Sequence, residues 1–183
     1  MILITGASGN VGREVLKQAV SAGLPVRAAF QNLAKANTPA GVEAVRVDFN
    51  EPQTLKAALN GVETVFLVGP PTEELVPLER KAAEVIAQSS VRRLVKLSAM
   101  GGREATFPRQ HADSEDFIRS TGVPFTFLRP NGFMQNLVHY SAPTIKTIDK
   151  FYGSEGGGRI SFIDIRDIAA VAVGVLSNEG HAG

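Results

Sequence analysis

Three glycines stand at intervals of three near the start of the chain, in "TGASGNVG", Thr5 to Gly12. The stretch follows the apolar run "MILI" and leads into "REVLKQAVSAG". A plain strand-to-helix turn needs one glycine, not three at fixed spacing. Spacing of this kind suits an approaching polyanion. Gly6 allows a tight turn, Gly9 has no Cβ and so admits a pyrophosphate to the backbone, and Gly12 lets helix and strand pack closely. The N–H groups of Ser8, Gly9, Asn10 and Val11, with the positive end of the helix, then face the phosphates.

Such a loop binds phosphate only where a strand precedes it and a helix follows. Both patterns are present. "ILIT" is a short apolar strand. "NVGREVLKQAVSAG" is helical, with Val11, Val15, Ala19 and Ala22 on one stripe and Leu16 and Val20 beside it. Further strands follow in "PVRAAF", "VEAVRV", "VETVFLVG", "RRLVKLS" and "PFTFLR". Helices come between them in "PQTLKAAL", "TEELVPLERKAAEVIAQSS" and "RQHADSEDFIRSTG", the second with Leu75, Leu78, Ala82, Val85 and Ile86 facing inward. The strands are apolar runs rather than alternating ones, which fits strands buried on both faces. The alternation predicts an α/β fold, a doubly wound parallel sheet of order 3-2-1-4-5-6. "GSEGGG" reads as a mobile turn.

In this fold the end of the second strand separates two cofactors. A carboxylate there bonds a free ribose 2′-hydroxyl, whereas a nearby cation pairs with a 2′-phosphate. The strand ends here at Phe30 and Gln31, with no carboxylate, and Gln31, Asn32 and Lys35 are the available donors. Lys35 supplies one cation, or is a solvated loop lysine. The missing repulsion favours NADP(H) over NAD(H). Asp48 closes the third strand in "VRVDFN"; it reaches the adenine with Phe49 packed on the ring, or satisfies local backbone N–H groups. Val68, Gly69 and Pro70 end the fourth strand at the same edge, where ligands bind, and form a stiff loop suited to the nicotinamide ribose.

With these elements in place, "TGASGNVG", "VRVDFN", "KLSAMG", "LRPNGFMQN" and "ISFIDIRDIAAVAV" together resemble the NmrA-like branch of the atypical short-chain dehydrogenase/reductases. The resemblance covers nearly the whole chain. It implies a Rossmann NAD(P)-binding fold and one of two functions. The first is an NAD(P)H-dependent oxidoreductase that transfers hydride to a quinone-like or aromatic acceptor. The second is a redox-sensing regulator that binds the cofactor without turnover and acts through a protein partner. The resembling proteins continue beyond the point where this chain stops, with elements that wall the substrate pocket. Residues 1–183 are therefore expected to form one NAD(P)-binding domain, with 130–183 contributing the start of a substrate region that is incomplete.

The chain departs from the wider group at its catalytic pair. Tyr-x-x-x-Lys is absent: Tyr140 is followed four residues on by Thr144, and Tyr152 by Gly156. At the matching place stands "HADSE". His111 and Glu115 share a helix face, so His111 is a candidate proton donor that Glu115 tunes, or a structural histidine. Ser98 fits the place of the active-site serine, or caps the next turn. Quinones and dyes accept hydride and can take their proton from water, so positioning can carry the reaction. In "LRPNGFMQN", Pro130 fixes a turn, and Asn131, Phe133 and Met134 approach the nicotinamide or substrate. An apolar helix is expected to begin there, with Phe133 and Met134 as ordinary core in the alternative reading. "FIDIRDIAAVAVGVL" reads as a strand and then a helix buried on nearly all sides, with Asp164 and Asp167 serving its N-terminus.

Composition sets the outer limits. The chain has 183 residues, 44% hydrophobic and 20% charged, with a formal net charge of +1. It lacks the clustered basic face that nucleic acid requires; the pair Arg92–Arg93 reads as solvated. No cysteine is present, which excludes disulfides and thiol chemistry, and no metal site is expected. No segment approaches the length of a membrane span, and Met1 runs straight into a strand, so a cytoplasmic protein is expected. The helix in "ELVPLERKAAEVIA" is one that such proteins use for dimers, and core packing explains it equally well.

Overall fold

Each short apolar run becomes one strand of a single parallel sheet. The computed structural model describes residues 1–152 and 156–183. The first three residues of the expected "GSEGGG" turn lie outside this range. The strands are β1 (Ile2–Ile4), β2 (Val26–Phe30), β3 (Glu43–Arg46), β4 (Thr64–Leu67), β5 (Arg93–Leu97) and β6 (Phe125–Leu128). Their order is β3-β2-β1-β4-β5-β6, all parallel, as the alternation of elements predicts.

The helices are α1 (Asn10–Ser21), α2 (Pro52–Ala58), α3 (Leu75–Ala87), α4 (Thr106–Ser120), α5 (Ala142–Ile148) and α6 (Ile165–Ser177). Period-two alternation splits the core. Ile2 and Ile4 point to the layer of α1 and α6, and Leu3 points to the layer of α2, α3 and α4. Both sheet faces are therefore covered, which is why the strands carry continuous apolar runs. No helix among the described residues is long and apolar enough to cross a membrane.

Several local expectations change. Ala22 is the exposed C-cap of α1, not part of its buried stripe. Helix α4 starts at Thr106, three residues before Arg109, where the sequence pattern places its start. Helix α6 is not buried all round: Val171 is 55% exposed. Arg93 is not simply solvated. It donates to the carbonyls of Leu176 and Asn178 and so ties β5 to the end of α6. Phe133 does not open a helix. Gly132–Phe133 is a short strand, β7, paired in parallel with β8 (Phe162–Ile163). Asn131 Oδ1 accepts from the Gly132 N–H and holds the backbone in that course. Helical structure begins after that strand, at Gln135, and passes through one π-helical turn, Leu137–Ser141, into α5.

Candidate active site

The carboxyl ends of β1, β4, β5 and β6 open onto one cleft of about 970 Å³. The glycine loop forms one wall, from Gly6, Ser8, Gly9, Asn10, Val11 and Gly12. Gly6 has φ +61°, a left-handed conformation that favours glycine. A Cβ on Gly12 would stand 2.2 Å from the Gly6 carbonyl oxygen, so only glycine allows the helix to start this close to the loop. Thr5 pins the loop to β4: its hydroxyl accepts from the Val68 N–H at 2.8 Å and donates toward the carbonyls of Phe66 and Val68.

Helix α1 begins with Gly9 as N-cap and no side-chain cap. The first intrahelical bond runs from the Arg13 N–H to the Gly9 carbonyl. The N–H groups of Asn10, Val11 and Gly12 therefore precede the helical ladder and stand at the cleft wall. An uncapped helix end beside a glycine loop fits a dinucleotide pyrophosphate, and these residues would hold it.

The other predicted cofactor residues divide. Gln31, Asp48, Phe49, Val68, Gly69, Pro70, Pro130 and Asn131 line the cleft. Asp48 meets both of its readings: it stands in the cleft, and its Oδ1 accepts from the Asn50 N–H. Gln31 reaches Asp48 Oδ2 at 3.4 Å. Asn32 and Lys35 are exposed and stand outside the lining. The Asn32 side chain accepts from the Ala34 N–H and caps the short turn Leu33–Lys35. Arg27 turns away from the cleft, to Glu43 and the carbonyls of Ala58 and Asn60. Phe133 lines the cleft and also packs on the α1/α6 core, whereas Met134 lies outside the lining and is 48% exposed.

Ser98 and His111 are both buried and both line the cleft. Glu115 does not hydrogen-bond His111, the partner that the shared helix face suggests. It accepts from Ser98 Oγ at 2.6 Å, from Arg129 Nε at 2.8 Å, and from Arg119 at 3.2 Å. Burial raises the Glu115 carboxyl, but these partners outweigh it and hold the group below its ordinary range.

The partner of His111 is Lys96, whose Nζ lies 3.1 Å from Nδ1. Lys96 is completely buried near the carboxyl end of the interior strand β5 and pairs with the equally buried Glu79 of α3 at 2.7 Å. Ser114 of α4 donates to the same carboxylate. The Phe107 ring meets the His111 ring edge-on at 4.7 Å. Burial, and then the Lys96 charge, push the His111 imidazole down to about 4. It is therefore neutral at physiological pH and does not serve as an imidazolium acid. Lys96 and Glu79 were not among the expected site residues. Their signal was present: a lysine inside the apolar strand "RLVKL" and a glutamate on the inward stripe of α3.

The sequence matches the family described as NAD(P)H-binding over residues 6–179. The chain belongs to that family. It is 36% identical to the NAD(P)H azoreductase of Xenophilus azovorans over 99% of this chain and 65% of that enzyme. It is 39% identical to the (4-alkanoyl-5-oxo-2,5-dihydrofuran-3-yl)methyl phosphate reductase of Streptomyces griseus, over all of this chain and 65% of that enzyme. The chain thus spans somewhat less than two thirds of either relative. The NADPH-dependent quinone oxidoreductase of Escherichia coli, in complex with NADPH, superposes with a TM-score of 0.90 at 26% identity, covering all of this chain and 67% of that one. The doubly wound fold, the family resemblance and the NAD(P)H-binding character read from the glycine loop agree with these relatives.

Proposed function

We propose that this chain is the cofactor-binding part of an NAD(P)H-dependent oxidoreductase that passes hydride to a quinone-like or aromatic acceptor. The observation that carries the reading is one continuous cleft. It holds an uncapped helix end and glycine loop at one side and the buried pair Ser98 and His111 at the other. A nicotinamide dinucleotide supplies hydride when bound. The chain's own residues orient and enclose. Leu78, Phe107, Phe133 and Tyr140 give the acceptor end an apolar wall suited to a flat conjugated ring. Residues 130–183 contribute the start of the substrate region, and Asn131, Phe133 and Tyr140 are its part of that wall. The names of the azoreductase and quinone oxidoreductase relatives support the same acceptor classes.

NADP(H) is the favoured cofactor in this reading. Strand β2 ends without a carboxylate, Gln31 lies in the cleft, and Lys35, four residues on, is an exposed cation. Calorimetric titration with NADPH and, separately, NADH tests this. Tight binding of NADPH alone supports it, equal binding of both removes the preference, and binding of neither removes the oxidoreductase reading.

A further inference from the structure

Lys96 has three donor hydrogens and three acceptors around them. Its ammonium meets Glu79, the Leu97 carbonyl at 3.1 Å and His111 Nδ1 at 3.1 Å. A lysine ammonium can only donate. Nδ1 must therefore accept, and the single proton of the neutral ring must sit on Nε2. Nε2 makes no hydrogen bond with any described residue. Yet among the described residues no fully buried side-chain nitrogen or oxygen lacks a partner. Nε2 is thus reached from the cleft that His111 lines.

The arrangement is built from three elements. Strand β5 brings Lys96, α3 brings Glu79, and α4 brings His111 and Ser114. Gly69, at the end of β4, leaves the space that Glu79 fills: a Cβ there would stand 2.5 Å from Glu79 Oε1. Other charges nearby are committed elsewhere, with Glu115 of α4 held by Ser98, Arg119 and Arg129.

We propose that Glu79 and Lys96 are positioning residues that lock His111 as the neutral Nε2–H tautomer, a hydrogen-bond donor to the oxygen of a quinone or conjugated carbonyl acceptor. The proposal rests on the oxidoreductase reading above. A bound nicotinamide would supply two electrons and one hydrogen, as hydride, to one carbonyl oxygen of the acceptor and would itself become NAD(P)+. The resulting hydroquinone monoanion carries its charge on the oxygen facing Nε2–H. A proton from water then completes the hydroquinone. The imidazole keeps its own proton throughout, so it acts by stabilising developing negative charge.

The test pairs a tautomer measurement with turnover, on the full chain. Nitrogen-15 NMR of the histidine rings, assigned with His111→Gln, is expected to show bare Nδ1 and protonated Nε2 from pH 8 down to about pH 5, as burial beside a cation implies. Protonated Nδ1, or an imidazolium at pH 6, overturns the lock. In menadione reduction by NADPH, His111→Asn, which lacks a donor at the Nε2 position, is expected to lose about a hundredfold in kcat. His111→Gln, whose amide NH₂ reaches that position, is expected to recover most of the loss, with KM for NADPH unchanged in both. The double variant Glu79→Gln/Lys96→Met leaves no unpaired charge. It is expected to release the tautomer and to bring in an acid limb near the ordinary histidine range, about pH 6.5. Equal turnover by the Asn and Gln variants overturns the donor role. The Nε2–H form in a chain with no turnover overturns the oxidoreductase reading instead, while the lock itself stands.

Discussion

Ser98 Oγ lies 2.6 Å from Glu115 Oε1 and gives that carboxylate its only hydroxyl hydrogen. Ser98 therefore faces the cleft as an acceptor, and its proton is not free for a substrate. The same bond leaves Glu115 gathered into one cluster with two arginines, away from His111. Glu115→Ala should leave Arg129 unpaired and Arg119 with Asp116 alone, both able to reach water, costing about 2 kcal/mol of unfolding free energy. Ser98→Ala should cost less, on the order of 1 kcal/mol. Urea unfolding of the two variants checks the order. A Ser98→Ala loss larger than that of Glu115→Ala contradicts it.

Gly9 and Gly12 should separate binding from folding. A Cβ on Gly12 meets a backbone oxygen at 2.2 Å, whereas one on Gly9 meets nothing closer than 3.3 Å. Gly12→Ala is expected to destabilise the fold by about 2 kcal/mol or more through overpacking. Gly9→Ala should leave the melting temperature nearly unchanged and still weaken cofactor binding, because the new methyl group would stand on the route proposed for the pyrophosphate. Thermal melts and cofactor titration of both variants test this. Loss of affinity without loss of stability in Gly12→Ala contradicts it.

The buried ion pair should behave differently when one partner or both are removed. Lys96→Met leaves Glu79 uncompensated in the core, a change expected to cost about 3 kcal/mol or more. Glu79→Gln/Lys96→Met removes both charges and is expected to recover most of that loss. The measurement is the unfolding free energy of the single and double variants. Additive losses contradict the pairing.

His111 gives a pH signature. The folded chain holds the imidazole at about 4 through burial and the Lys96 charge, while an unfolded histidine titrates near about 6.5. Between these values the unfolded chain takes up a proton that the folded chain refuses. Stability therefore rises with pH through the window, and it is lost as pH falls from about 6.5 toward 4, by an amount on the order of 3 kcal/mol. His111→Gln does not titrate and should flatten this part of the profile. Unfolding free energies at the two ends of the window check it. Parallel profiles for the two chains contradict it.

The fold was legible in the sequence because βαβ alternation leaves a strong local record. Apolar runs, helix stripes and the glycine loop each report the same sheet order. The loop side of the cleft was legible for the same reason: its residues are contiguous. The acceptor side was not. Glu79, Lys96 and His111 come from three elements, and only the folded sheet brings them together. The shared helix face of His111 and Glu115 suggested a pair, but i,i+4 spacing sets proximity on the helix and not which partner each group meets across it. Phe133 misled because "NGFMQN" has helical spacing. Its backbone instead pairs with Ile163, in a distant segment that no local pattern reveals.

Oxidation of NADPH in the presence of menadione reports whether this cleft turns over. We expect steady oxidation that depends on menadione and that falls both in Gly9→Ala at limiting cofactor and in His111→Asn. Tight binding of NADPH with no oxidation of it, by menadione or by an azo dye, would contradict the account and point to a chain that senses the cofactor without using it.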